Sequence, residues 1–103
     1  MSPSKYRAVR TTVNGLEFAS QKEARRYQAL LLLERAGQIR DLELQPRFPC
    51  HVNDLLVCTY VADFRYIEDG ATLVEDVKGM KTDVYRIKAK LVKALYGITI
   101  KEV

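Results

Sequence analysis

The spacing of apolar positions changes along the chain, and each spacing predicts one type of secondary structure. Apolar residues recur every three to four positions after Ser20 and again after Thr82, which predicts two amphipathic helices. Ser20 and Thr82 are good helix N-caps, and Gly37 and Gly97 stand where the two patterns end. Glu23 follows Ser20 at the spacing of a capping box. The predicted apolar faces are Ala24, Tyr27, Leu30, Leu31 and Leu33 in the first helix and Val84, Ile87, Leu91 and Leu95 in the second.

Runs of β-branched and aromatic residues predict strands over 39–44, 55–66, 71–78 and 98–103. Pro46 and Pro49 are interpreted as an irregular end of the first run. Asn14-Gly15 predicts a short basic hairpin over 7–18. The resulting order predicts an α/β domain with an αβββαβ core, in which helices flank a mixed sheet, and a short N-terminal β-hairpin. Because the last strand follows a helix, we expect it to lie parallel to an earlier strand.

Composition limits the classes of protein to consider. The length of 103 residues and the hydrophobic content of 48% predict one domain, 1–103, in which 1–18 form a basic arm. No apolar stretch approaches the ~20 residues that span a bilayer, and residues 1–10 lack the apolar core of a secretory signal. We therefore expect a cytoplasmic protein with no membrane partner and no organic cofactor. The net charge of +4 suits a polyanionic partner.

Two acidic residues, Asp63 and Asp76, interrupt the most β-prone runs, although strands disfavour acidic residues. If Asp69-Gly70 is the two-residue loop of a type I′ hairpin, Asp63 lies opposite Asp76 on the same face. A three-residue loop would instead place Asp63 opposite Glu75. Lys78 stands two residues beyond Asp76 and therefore shares its face.

Either register places two carboxylates side by side, which is unfavourable unless a cation lies between them. Mg²⁺ is the expected cation, with Mn²⁺ as a substitute, because Mg²⁺ prefers oxygen ligands from carboxylates, water and phosphate. The ammonium group of Lys78 could orient a water molecule or neutralise charge on a phosphate. The pattern therefore predicts hydrolysis of a phosphodiester. The alternative interpretation is a pair of solvated strand carboxylates with Lys78 as their ion-pair partner.

The same residues resemble a known superfamily. Asp63 followed by Asp76-Val77-Lys78 is similar to the PD-(D/E)XK, or restriction-endonuclease-like, signature, and the predicted element order matches the core of that superfamily. Segments 18–27, 44–46, 62–64 and 75–79 further resemble a family of short phage and prophage proteins within it. Ala62 precedes Asp63 where the signature has a proline, so the Pro-Asp half of the motif is incomplete.

The resemblance implies a metal-dependent endonuclease that hydrolyses DNA in a bacterial host cell. Branched or junction DNA from phage recombination or replication is the substrate that it suggests. Asp63 and Asp76 then correspond to the two acidic metal ligands and Lys78 to the catalytic lysine. The carbonyl group of Val77 would contact the metal. Glu23 corresponds to a further metal ligand, and its alternative role is to complete the capping box.

Other side chains have supporting roles in this interpretation. Strand alternation turns the Glu75 side chain away from that of Asp76. We therefore expect Glu75 either to have a structural role or to contact the metal ligands without binding the metal itself. Gln45 either orients water or substrate or serves the turn after its strand. Phosphate contacts are expected from Arg7, Arg10, Lys22, Arg26, Lys81, Arg86 and Lys88. Because so short a chain has little surface for a duplex, we also allow for a homodimer.

Two other classes of function stay open. A non-catalytic nucleic-acid-binding module would keep the fold with its carboxylates as a relic or a structural pair, and would bind DNA without cutting it in the presence of any metal. A protein-binding accessory or inhibitor would have no salt-sensitive affinity for DNA. Metal-dependent cleavage distinguishes the nuclease from both.

Overall fold

The computed structural model describes residues 10–103, which form two helices and eight strands. The elements are β1 (Thr11–Val13), β2 (Leu16–Phe18), α1 (Gln21–Arg35), β3 (Arg40–Leu44), β4 (Arg47–Val52), β5 (Leu55–Val61), β6 (Phe64–Glu68), β7 (Ala71–Asp76), α2 (Asp83–Tyr96) and β8 (Lys101–Glu102). A four-stranded sheet has the order β3-β6-β7-β8, and β1-β2 and β4-β5 are separate hairpins. In the sheet only β7 and β8 pair in parallel. The protein is therefore a mixed α/β domain with a mixed sheet and two helices, and its last strand is parallel to an earlier one, as predicted.

Both helices begin and end where the sequence predicts. The Ser20 hydroxyl accepts a hydrogen bond of 3.1 Å from an N–H of the first turn of α1, and Thr82 does the same for α2. After α2, Gly97 adopts a left-handed conformation with a φ of 71°. A residue with a Cβ is strained in this conformation, so glycine at this position ends the helix without that cost.

The buried face of α2 differs from the predicted face. Tyr85 and Val92 are buried against the β4-β5 hairpin, whereas Val84 and Ile87 are 61% and 60% exposed. Of the predicted face, Leu91 packs against this buried cluster, whereas the prediction was wrong for Val84, Ile87 and Leu95. The helix carries two stripes of apolar residues, and the tyrosine stripe is buried because the Tyr85 hydroxyl finds a carboxylate partner while its ring packs.

The predicted strand over 55–66 is two strands that belong to different sheets. β5 ends at Val61 and β6 begins at Phe64. In the break between them, the Ala62 N–H donates to the Pro46 carbonyl and the Asp63 N–H donates to the Glu75 carbonyl, each at 3.1 Å. The chain therefore passes from the β4-β5 hairpin into the four-stranded sheet at Asp63.

Residues after Leu44 form strand β4 rather than the irregular end that the prolines suggested. β4 pairs with β5 through a turn at Asn53-Asp54, whose φ angles are 50° and 66°. Asparagine and aspartate tolerate the left-handed conformation, although less readily than glycine. The missing glycine is the reason that sequence reasoning did not find this hairpin.

The two hairpins that contain Asx-Gly were predicted correctly. Asp69 and Gly70 have φ angles of 52° and 78°, and Glu68 pairs with Ala71. This is the register of a two-residue loop, and it continues to Phe64 opposite Glu75. Asn14-Gly15 joins β1 to β2. Positions 7–9 of the predicted hairpin, with Arg7, lie outside the described residues.

The sheet lies between two apolar clusters. Tyr27 and Leu30 of α1 pack in one cluster and Val92 of α2 packs in the other. The neighbouring β7 residues Leu73 and Val74 contribute to different clusters, which means that α1 and α2 cover opposite faces. Over residues 10–103, no helix has the length and apolar character needed to cross a bilayer.

Candidate active site

Asp63 lies in the break between β5 and β6, next to the end of β7. Its Oδ2 accepts a hydrogen bond of 2.7 Å from the Val77 N–H. Burial raises the pKa of the Asp63 carboxyl, and the Val77 N–H and the Lys78 ammonium group oppose that rise. Backbone bonds therefore hold this carboxylate beside the residues that follow β7.

Asp76 and Lys78 form an ion pair at the same place. Asp76 is 3% exposed, and its Oδ2 lies 3.2 Å from Lys78 Nζ. The two groups are not aligned as a hydrogen bond, so this buried oxygen has no hydrogen-bond partner within 10–103. Burial raises the pKa of Asp76, Lys78 opposes the rise, and the charge of Glu102 adds to it. A buried carboxylate oxygen is suited to accept a cation, and the ammonium group of Lys78 takes that place in this structure.

Glu23 brings a third carboxylate to this cluster from the first turn of α1. Burial and then the negative charges of Asp63 and Asp76 raise the pKa of Glu23 to about 7. Its backbone N–H serves the Ser20 cap, while its side chain lines a cavity of about 140 Å³ together with Gln45 and Asp63. The bond to Ser20 thus comes from the Glu23 backbone, whereas the Glu23 carboxylate, which would complete a capping box, lies at the cavity beside Asp63.

Gln45 is held at the edge of this cavity by its backbone. It has a φ of 51°, and its N–H donates to the Asp63 carbonyl at 2.9 Å. A non-glycine residue in this region is strained and persists only where surrounding contacts hold it. Gln45 therefore lies in the turn after β3 and also lines the cavity beside Asp63, so both of the roles weighed for it stay predictions.

Glu75 points away from the cluster and has a structural partner. It is fully buried, and both of its oxygens accept hydrogen bonds from Arg26, at 2.7 and 2.6 Å. The Tyr66 hydroxyl also donates to it. Burial acts to raise the pKa of Glu75, but the Arg26 and Tyr66 hydrogen bonds outweigh burial and hold that pKa below its ordinary value. The guanidinium group of Arg26 is therefore engaged with Glu75, and we leave Arg26 out of the proposed phosphate contacts.

Sequence reasoning missed a carboxylate on β8. Glu102 pairs in register with Asp76, accepts a hydrogen bond of 2.8 Å from the Tyr85 hydroxyl and forms an ion pair of 2.8 Å with Lys81. Lys78 Nζ lies 4.1 Å from the centroid of the Tyr85 ring, which is a cation–π contact. No local signal could identify Glu102, because its position depends on the register of a parallel pair formed across a helix.

The predicted phosphate contacts fall into two groups. Several have carboxylate partners: Arg10 pairs with Glu17, Lys81 with Glu102, and Arg86 with Asp83. Lys22 lies near the cluster, and its ammonium group donates to the Lys78 carbonyl at 3.3 Å. Lys88 forms no ion pair with any residue between 10 and 103, so its charge is available to a ligand.

The donor set is consistent with a hard divalent cation. In the described part of the chain, no three His, Cys, Asp or Glu side chains are arranged to hold one metal ion together. Asp63 and Asp76 nevertheless offer two carboxylates beside a third, Glu23, in a cluster where burial disfavours their charge. Mg²⁺ is commonly held by one or two carboxylates and completes its coordination with water and phosphate oxygens. Asp63 and Asp76 are therefore candidate ligands for a divalent cation, although the described residues do not complete a three-ligand site around them.

The fold and the cluster define a small mixed α/β domain with carboxylates and a lysine at one end of the sheet. The chain belongs to the family described as "Protein of unknown function (DUF1064)", whose model matches residues 3–101. No curated protein and no solved structure gave a significant match.

Proposed function

We propose that this chain is a metal-dependent endonuclease of the restriction-endonuclease-like, PD-(D/E)XK type that hydrolyses DNA phosphodiester bonds. The observation that carries the proposal is the convergence of Asp63, Asp76 and Lys78 at the end of β7. The order α1, β3, β6, β7, α2, β8 supports it, because this is the αβββαβ order of that superfamily, with the β4-β5 hairpin inserted.

Asp63 and Asp76 would hold the metal ion, with Glu23 and the carbonyl group of Val77 as further oxygen donors. When bound, Mg²⁺ or Mn²⁺ polarises a phosphate oxygen and lowers the pKa of a bound water molecule. Lys78 supplies a fixed positive charge that stabilises negative charge as it develops on the phosphate. Glu23 and Gln45 line the small cavity beside Asp63, where they can orient a water molecule.

The test is cleavage of labelled linear, nicked, flapped and four-way DNA with Mg²⁺ and with Mn²⁺. We expect Asp63→Asn, Asp76→Asn and Lys78→Met each to lower the cleavage rate by about a hundredfold or more while DNA binding persists. Asp83→Asn is the matched control, because Asp83 is an exposed carboxylate on α2 that pairs only with Arg86 among the described residues. Equal cleavage by the wild type and the Asp76→Asn variant would contradict the proposal.

The second candidate is a DNA-binding module without catalysis. One observation favours it: within 10–103, the acidic groups do not form a ready three-ligand metal site. This candidate predicts DNA binding that is unaffected by Mg²⁺ and no cleavage of any of the four substrates.

A further inference from the structure

A groove of about 320 Å³ runs between β5 and the first half of α2. Its lining includes Tyr60, Val61, Lys78, Thr82, Val84 and Lys88. It is separate from the cavity lined by Glu23, Gln45 and Asp63, and Lys78 lies between the groove and the acidic cluster. A ligand in the groove would therefore continue directly into the candidate active site.

The charge of the groove favours an anion. Two ammonium groups, those of Lys78 and Lys88, line it, and its lining contains no carboxylate from the described residues. Lys78 also forms an ion pair with Asp76, whereas Lys88 has no carboxylate partner among residues 10–103. α2 begins beside the groove, at its Thr82 cap, so the positive end of the helix dipole adds to the two lysines.

A second observation comes from the apolar part of the lining. Val61 and Val84 line the groove and are 41% and 61% exposed. Ligand sites commonly combine apolar walls with a few charged groups that fix the ligand. A ligand with an anionic group and an apolar part would cover these two side chains and meet the two lysines.

We propose that the groove binds one nucleotide of a single-stranded DNA segment that flanks the phosphodiester held at the acidic cluster. Its phosphate accepts a hydrogen bond from Lys88. Its sugar and base pack against Val61 and Val84, two apolar side chains that are exposed without it. A basic groove with apolar and aromatic walls is the usual means of holding a single strand. The volume of the groove suits one nucleotide.

This inference rests on the proposed function, because it uses the acidic cluster as the place where the bond is cut. It also narrows the substrate to DNA that has a single-stranded segment next to the cut. Binding can be measured in EDTA by fluorescence anisotropy with a short fluorescein-labelled single strand, so that hydrolysis does not interfere. Every binding measurement uses the full 103-residue chain.

Lys88→Gln should weaken binding about tenfold and lower the salt dependence of the affinity by about 0.7 in slope. Lys90→Gln is the matched control, because it removes the same charge from an exposed position of α2 outside the groove. Equal losses for the two variants would mean that Lys88 acts only through net charge, and would overturn the proposal.

Val84→Ala separates a ligand contact from a packing role. Val84 is 61% exposed, so the substitution should change the melting temperature little, and it should weaken single-strand binding about threefold. Unchanged affinity would overturn the proposal. Loss of cleavage activity is not part of this readout, so a failed groove and a failed nuclease give different results.

A third arm compares a flapped duplex with a blunt duplex of the same sequence in EDTA. We expect tighter binding to the flap, and we expect Lys88→Gln and Val84→Ala to reduce that preference. Tighter binding to the blunt duplex would contradict a site for a single strand.

Discussion

Burial, and then the negative charges of Asp63 and Asp76, raise the pKa of Glu23 to about 7 from an ordinary value of 4.5. The folded state therefore binds this proton more tightly than the unfolded state does. The stability contributed by the protonated group is fully present below pH 4.5 and is lost as the pH rises through about 7. In the absence of a divalent cation, the ionised cluster thus destabilises the fold at neutral pH.

Glu23→Gln should remove that pH dependence. In EDTA, the variant and the wild type should have similar melting temperatures near pH 4.5, and the variant should be the more stable protein above pH 7. Circular dichroism melts across this range measure the difference. Glu68→Gln, beside the turn that connects β6 and β7, is the control and should leave the pH profile unchanged. The same difference at both ends of the range would refute the electrostatic account.

The main residues of the acidic cluster could be identified as candidates from the sequence. Asp63, Asp76 and Lys78 are unusual residues for strand-like sequence, and a turn with a known register related their positions. Tyr60 and Glu102 gave no comparable signal. A strand tyrosine is ordinary in sequence, and only the packed structure reveals that its hydroxyl lacks a partner. Glu102 lies beside Asp76 because of pairing between strands far apart in the chain.

At the scale of elements, α2 was predicted at the correct position in the chain, but of its predicted apolar face Leu91 packs against the core and Val84, Ile87 and Leu95 do not. Hydrophobic periodicity favoured the stripe through Ile87, whereas the structure buries the stripe through Tyr85 and Val92. Helical periodicity allows both choices, and contact with the β4-β5 hairpin selects one. The exposed stripe contributes Val84 to the groove instead of to the core.

Two substitutions in α2 distinguish these faces. Val92→Ala should lower the free energy of unfolding by about 2 kcal/mol, because it removes fully buried apolar atoms and leaves a cavity. Ile87→Ala should change it by no more than about 0.5 kcal/mol, because the Ile87 side chain is mostly exposed. Urea unfolding measures both. The opposite ranking would restore the face that periodicity predicted.

At the scale of the whole molecule, the Arg26–Glu75 ion pair connects α1 to the centre of the sheet. Glu75 is fully buried in β7, and the Arg26 side chain is 27% exposed. This contact anchors the first turns of α1, which also carry Glu23, to the strand that ends in Asp76. It therefore contributes to the docking of α1 on β7.

Arg26→Ala should lower the free energy of unfolding by about 3 kcal/mol, because it leaves the Glu75 carboxylate buried without its charged partner. Arg25→Ala is the matched control at the neighbouring, exposed position and should cost about 0.5 kcal/mol or less. Urea unfolding of both variants provides the comparison. Equal, small effects would mean that Glu75 does not depend on Arg26.

The sequence by itself determined the features that depend on local interactions. These features are the helix caps at Ser20 and Thr82, the Asp69-Gly70 turn and the strand register that this turn imposes. All of them follow from the conformations of a few adjacent residues. These features already relate Asp63 to Asp76 and Lys78, which is why the core of the candidate site could be predicted.

Only the tertiary structure decided what depends on contacts between distant segments. It divided one β-prone run between two sheets at Asp63, chose the buried face of α2 and placed Glu102 beside Asp76. In each case the local sequence permits more than one arrangement with similar energy. The free energy of packing and of pairing buried polar groups, summed over the whole chain, selects among them.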